Sequence, residues 1–325
     1  MLFFFLCASF ALFPNQVLQG AQSGLALCIN AVIPSLLPFL LLSSCLIKSN
    51  FSRPLGFLLS KILSPVTGLN PQECVCLITG LIGGYGAGAK AVKESYDNGM
   101  LTKSEAEALL SFANNAGPLF VIGTVGISFL SDENAGVFLY FVQVITALLC
   151  ASLFCTSKTI KTSTLKKEWL FYKKNKPSTG RLVAQAAASS GIAIINVCVF
   201  VISFSAALAV FPEDDFLFLK GITEVTRGCA EAARLSQNPL PVISAMLSWG
   251  GLSVHFQANA LCGGELSLKK YYAGRVVASI ISFIIANILC CTETGYILPV
   301  TFIFILTSLI YIIRRFYSLR LLLQS

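Results

Sequence analysis

The chain has 325 residues, of which 55% are hydrophobic and 12% charged. A water-soluble protein carries about 25% charged residues, so this composition excludes a soluble globular protein and points to a polytopic membrane protein. The net charge of +8 does not mark a nucleic-acid surface, because eight of the 23 Lys and Arg residues lie in the stretch 158–181, as a membrane-topology signal would.

The N-terminal run MLFFFLCASFALF lacks a basic n-region and an A-x-A-like site before Pro14, so it reads as a short first membrane segment rather than a signal peptide. Apolar runs predict spans near 2–18, 24–47, 113–130, 135–156, 186–211, 239–262, 270–290 and 295–313. Two further segments, 72–92 and 216–235, are apolar but interrupted. The 157–181 linker and the tail RRFYSLR (314–320) are basic, as are the stretches holding Lys48, Arg53 and Lys61 and holding Lys269, Lys270 and Arg275. All four are therefore expected on the cytoplasmic side. The loops 131–134, 212–215 and 292–294 have no Lys or Arg and are expected outside. These sides are consistent only if 72–92 and 216–235 enter and leave on the same face as re-entrant hairpins. The order of spans then repeats with every direction reversed, an inverted-topology repeat of the kind found in secondary transporters.

Polar residues cluster in the interrupted segments. Hairpin one holds GLIGGYGAGAK, where five of the nine residues 80–88 are Gly. Each destabilises a continuous helix by about 1 kcal/mol, and unwound backbone at membrane depth is tolerated where it lines a cavity. Gly84, Tyr85 and Gly88 are candidate tip residues; tight packing of small residues is the alternative. Hairpin two holds GITEVTRGCAEAAR, with Glu224, Thr226 and Arg227 nearest the expected tip; a charged face at the interface is the alternative. In SFANNAGPLFVIG, Pro118 cannot bond the carbonyl of residue 114, so Asn114, Asn115, Gly117 and Pro118 offer amides and freed backbone together. For a lone Asn, an interhelical hydrogen bond would be the simpler reading. SWGGLSVHFQAN adds Trp249, Ser253, His255 and Gln257, where a structural role for His255 and an interfacial one for Trp249 stay open. MLTKSEAEALL is a helix start capped by Thr102 with Glu105 or by Ser104 with Glu107. The twelve cysteines form no C-x-x-C pair and His255 is the only histidine, so no metal site is expected.

The pieces IPSLLPF, GGYGAGAK, TKSEAEALLSFANNAGPLFVIGTVG, GITEVTRG and SWGGLSVHFQ, in that order over 30–260, resemble the YlbJ-like sporulation integral membrane proteins, which are built from nucleoside-recognition (Gate) domains. One departure is Gly86, where that family usually has Pro after the Tyr. The resemblance implies a multi-pass protein of an endospore-forming bacterium, needed to form a proper spore, with a core like those of nucleoside transporters and ferrous iron permeases. It does not establish a nucleoside as substrate.

The expectation is therefore an all-α polytopic membrane protein with about 8 transmembrane helices and two re-entrant hairpins. The first Gate-type repeat would occupy 1–156 with the N-terminal helix, the basic linker 157–181, and the second, inverted repeat 182–325 with the C-terminal helix. It would sit in the cell membrane with the linker and C-terminus cytoplasmic, and bind or translocate a small polar solute with Na⁺ or H⁺ as coupling ion and no cofactor. The alternative is a non-transporting sporulation factor needed for the spore cortex or coat. An enzyme is not expected, since no paired carboxylates or nucleophile–base pair stands out. The expected partners are the bilayer and the solute, with a second copy or another sporulation protein left open and nucleic acid excluded.

Overall fold

A computed structural model describes residues 10–155, 164–210 and 221–290. Among the described residues the chain is all helical, with no β-strand. The expected span 295–313, the tail 314–320, the loops at 212–215 and 292–294, and the first arm of hairpin two up to residue 220 lie outside the described residues, as do residues 1–9 and 156–163.

Helix α1 (Pro14–Leu27) passes through a π-helical turn, Cys28–Val32, into α2 (Ile33–Lys48), and the two arms bend by 52°. Pro34 has no N–H to give the carbonyl of Asn30, so the ladder loosens there. The expected boundary between a segment 2–18 and a span 24–47 is absent, because α1 runs unbroken across it. Gly20 and Gly24, four residues apart, explain this. A Cβ on either would overlap Ser205 and its neighbours on helix α9 (Thr179–Leu208), so the two helices meet backbone to backbone.

Residues 52–67 form a helix, α3 (Ser52–Thr67), that the sequence reading missed. Its buried face is small and polar, with Ser52, Gly56, Ser60 and Ser64, whereas Leu58 and Ile62 point outward. A water-soluble helix would have these faces reversed; a helix against lipid has them this way round.

Helices α4 (Pro71–Gly83) and α5 (Ala87–Asp97) form a hairpin joined by Gly84–Gly86. Asn70 and Glu73 cap its start reciprocally. Gly84 and Gly86 have φ of +83° and +81°, a region open to glycine at little cost. The arms close on Gly80 and Gly88, and a Cβ on either would overlap the carbonyl oxygen of Ala113. That oxygen ends α6 (Lys103–Ala113), which the Thr102/Glu105 box starts.

Neither of the expected spans 113–130 and 239–262 is a continuous helix. The first is non-helical over 114–117 and resumes as a π-helical segment, Leu119–Phe129. The second is split into α11 (Pro239–Trp249) and α12 (Gly251–Cys262) by Gly250, whose φ is +87°. The remaining elements are α7 (Glu133–Phe154), the linker helix α8 (Leu165–Lys174), α10 (Val225–Leu235) and α13 (Lys269–Cys290). Helices α7, α9 and α13 are long and apolar enough to cross a membrane, and the bent pair α1–α2 is a fourth span if counted as one. Helix α13 packs on α6, α7 and α11, α5 on α12, and α10 on the Leu119–Phe129 segment.

The Ala113 carbonyl leaves no room for a side chain between the hairpin arms. Gly88→Val is expected to lose about 1–3 kcal/mol in thermal unfolding of the detergent-solubilised protein, whereas Gly191→Val, at a helical position of α9 where nothing lies within 4 Å of an added Cβ, loses less. Equal losses for the two variants would show that the close approach is not needed.

Candidate functional site

Two helices, α6 and α11, end in the interior with unpaired carbonyl groups and with the negative ends of their dipoles exposed. Arg275, on α13, reaches both. Its guanidinium donates to Ser111 O at 2.9 and 3.3 Å, to Asn114 O at 2.8 Å, to Asn115 Oδ1 at 3.5 Å and to Ser248 O at 3.2 Å. The side chain is 1% exposed. The adjacent Gly274 lets α13 touch Ser111 with no Cβ between them. None of these acceptors is a carboxylate. The buried cation is stabilised by carbonyls and helix ends, each charge-assisted hydrogen bond contributing about 1.5–3 kcal/mol against a desolvation cost of several kcal/mol. The balance is favourable only when the whole set is made.

Sequence reasoning had taken Arg275 for a solvated topology charge. It lies six residues into the otherwise apolar helix α13, and that placement was the available signal. Tyr271 and Gln143 were also missed. Gln143 Nε2 donates to Ala116 O at 2.8 Å, and Tyr271 Oη meets His255 Nδ1 at 2.9 Å.

Asn114 is fully buried. Its Oδ1 accepts from Gly86 N at 2.8 Å and its Nδ2 donates to Tyr271 Oη at 3.4 Å. Asn115 Nδ2 donates to Phe112 O at 2.7 Å. Pro118 opens the π-helical segment, so the break lies at 114–117, just before the proline. The carbonyl expected to be free at Asn114 is taken by Arg275, and both functional groups of its amide are used internally. Asn114 thus ties hairpin one to the break at 114–117, while Asn115 braces the end of α6. Gly86 suits this link better than proline would, because proline has neither an N–H nor a positive φ. Gly84 touches Gly117 closely, and Gly88 sits on Ala113 as described.

The break at Gly250 is held by a different set of contacts. Glu224 caps α10, accepting from Thr226 N at 3.1 Å and Arg227 N at 2.8 Å, and a Cβ on Gly251 would lie about 3 Å from Val225 N and Thr223 O. Trp249 Nε1 donates to Ile222 O at 3.0 Å, and the ring stands edge-on to His255 with centroids 4.2 Å apart. The Arg227 side chain faces elsewhere, into a cleft of about 500 Å³ with Gln16, Gln19, Glu231 and Arg234. Glu231 and Arg234 pair there at 2.9 Å.

Where the two sets of contacts meet there is a cavity of about 60 Å³. It is walled by hairpin one (Tyr85), by the first split span (Gly117, Phe120, Thr124), by the start of α10 (Glu224, Val225, Thr226), by α12 (Ser253, Val254, Gln257) and by the α1–α2 bend and α9. Of the expected site residues, Tyr85, Gly117, Glu224, Thr226, Ser253 and Gln257 line it. Asn114, Asn115, Trp249 and His255 stand behind as supports. Tyr85 Oη bridges the two halves by donating to Leu247 O. Glu224 is 2% exposed, and it is the only carboxylate among the described lining residues. Ser253 Oγ is buried and has no hydrogen-bond partner among the described residues, which is uncommon for a buried hydroxyl. At about 15 Å³ per water, the space holds on the order of four waters, far below the ~300 Å³ of a typical small-molecule pocket. No group of three or more His, Cys, Asp or Glu residues that could hold a metal occurs among the described residues.

No family model matches the chain, and no solved structure matches it. The chain is 25% identical to the sporulation integral membrane protein YlbJ of Bacillus subtilis (strain 168), over an alignment of 335 residues covering 88% of this chain and 81% of that protein. The similarity supports a YlbJ-like family assignment.

Removing the guanidinium leaves carbonyls at two buried helix ends without a partner. Arg275→Met is expected to lose about 3–5 kcal/mol in thermal unfolding. Arg275→Lys should fall between it and the parent, because an ammonium keeps the charge and loses the planar fork. An Arg275→Met protein as stable as the parent would remove Arg275 from this role.

Proposed function

We propose that this YlbJ-like protein is a sporulation-associated multi-pass membrane protein whose core binds and translocates a small polar solute through the cavity between its two split spans. The observation that carries the reading is that Glu224 and Ser253, whose hydroxyl has no hydrogen-bond partner among the described residues, line the same half-open cavity. A free hydroxyl at membrane depth is costly unless something polar meets it, and a carboxylate that caps a helix keeps further lone pairs for a ligand. Sporulation enters through the similarity to the Bacillus subtilis sporulation protein.

The inverted-repeat reading is supported by a correspondence between the two halves. In each half a split span touches the hairpin of its own half through a glycine, Gly117 on Gly84 and Gly251 on the 223–225 backbone. Each hairpin also packs on the far part of the opposite split span, α5 on α12 and α10 on Leu119–Phe129. Alternating access would tilt these units about the Arg275 and Tyr85 links. The cavity is half open, and its volume fits a hydrated cation or a very small solute better than a nucleoside. Glu224 then has two uses, holding the start of α10 and receiving Na⁺ or H⁺ as the coupling ion. The side assignment of the expectation, with the basic linker and the C-terminus cytoplasmic, belongs to the same reading.

Reconstitution into liposomes tests this, with an uptake screen over cations, amino acids, bases and nucleosides. Uptake of at least one small solute is expected, with a loss of tenfold or more in Glu224→Gln and Ser253→Ala. Glu224→Gln keeps an acceptor for the cap, so its thermal stability should stay within about 1 kcal/mol of the parent. No uptake of any class, or uptake unchanged in both variants, would overturn the reading and leave a non-transporting sporulation factor.

A further inference from the structure

The linker helix α8 is held firmly on the loop and helix it meets. Arg53 pairs with Glu168 at 3.5 Å and lies 3.9 Å over the Phe171 ring, and Phe51 packs edge-on against Tyr172 and Trp169 with centroids 5.4 and 6.3 Å apart. Between α3 and α8 runs an open apolar groove of about 390 Å³, floored by Leu55 and Leu58 on one side and by Leu165 and Trp169 on the other. Leu58, Leu165 and Trp169 are 47%, 39% and 41% exposed. Such a face is expensive in water and favourable against acyl chains.

The charges on the rim select the kind of lipid. Lys166 lines the groove, and Lys173 stands 5.9 Å from the Trp169 ring. They lie three residues before and four residues after Trp169, so both flank it on one helix face. Lys167, Lys174 and Lys176 are also exposed. The acid of this helix, Glu168, is engaged with Arg53. The exposed rim is thus cationic around an acyl-sized channel, at the surface of a chain that lives in a membrane.

We propose that the groove between α3 and α8 is a binding site for an anionic phospholipid, with one acyl chain between Leu58 and Trp169 and the headgroup phosphate at Lys166 and Lys173. The electrostatic part corresponds to about a fivefold preference per lysine and weakens with salt.

Trp169 reports on this through the difference from Trp169→Phe, because the chain has two tryptophans and the other, Trp249, is half-buried beside an open apolar pocket on a different part of the chain. The full-length protein is placed in phosphatidylcholine vesicles carrying a minor fraction of either phosphatidylglycerol or phosphatidylcholine with brominated chains, and tryptophan quenching is measured. Brominated phosphatidylglycerol is expected to quench several-fold more strongly at equal mole fraction. The difference should vanish in Trp169→Phe and shrink by about fivefold per lysine in Lys166→Gln and Lys173→Gln. Equal quenching by the two lipids would reduce the groove to ordinary bilayer contact. Absence of quenching at Trp169 would mean that other parts of the chain or a protein partner cover it. Either result overturns the proposal.

Discussion

The arrangement depends on one buried guanidinium. A membrane protein that ends two helices in its interior must satisfy the carbonyls at both ends without help from water. Arg275 does this for α6 and α11 together, bonding Ser111, Asn114 and Ser248 at once. Because one rigid fork serves both ends, the two breaks are fixed relative to each other. The neighbouring contacts then fall into place around it. Gly274 brings α13 against Ser111, Asn114 reaches Gly86 at the hairpin tip, and Tyr85 crosses to Leu247. Cavity, tip and split spans are consequences of the same junction.

Much of the membrane architecture could be read from the sequence, because its signals are local. Apolar length marked α7, α9 and α13, and the glycines at 80–88 marked the hairpin. The Asn–Gly–Pro stretch marked a break, displaced by a few residues toward the N-terminus because Pro118 begins a helical segment more readily than it interrupts one. Helix α3 escaped notice because the usual polarity of an amphipathic helix is inverted in lipid, so its Ser and Gly residues read as loop. The α1 helix was split on paper at glutamines and glycines, of which the glycines in fact make its contact with α9.

The candidate site was legible in part, and the division has a physical reason. Many residues whose type is unusual at membrane depth were noticed, including Glu224, Ser253, Gln257 and the asparagine pair, whereas Gln143 was not. Sequence alone does not tell whether such a group bonds the protein's own backbone or faces open space. Asn114, Asn115 and Trp249 proved to spend their hydrogen bonds internally, His255 does so through Nδ1 alone, and Glu224 and Ser253 line the cavity, Glu224 while also capping α10. Arg275 was seen and misassigned, because proximity to the basic pair at 269–270 made it look like a loop charge.

The central claim is that the cavity behind Glu224 and Ser253 is part of a water-accessible solute path. The most direct measurement is modification of Ser253→Cys, in reconstituted protein, by membrane-impermeant thiol reagents added separately to each side, with the lipid-facing Ile280→Cys as control. The account predicts labelling of position 253 from at least one side, with position 280 unlabelled. Failure of position 253 to react from either side would contradict it.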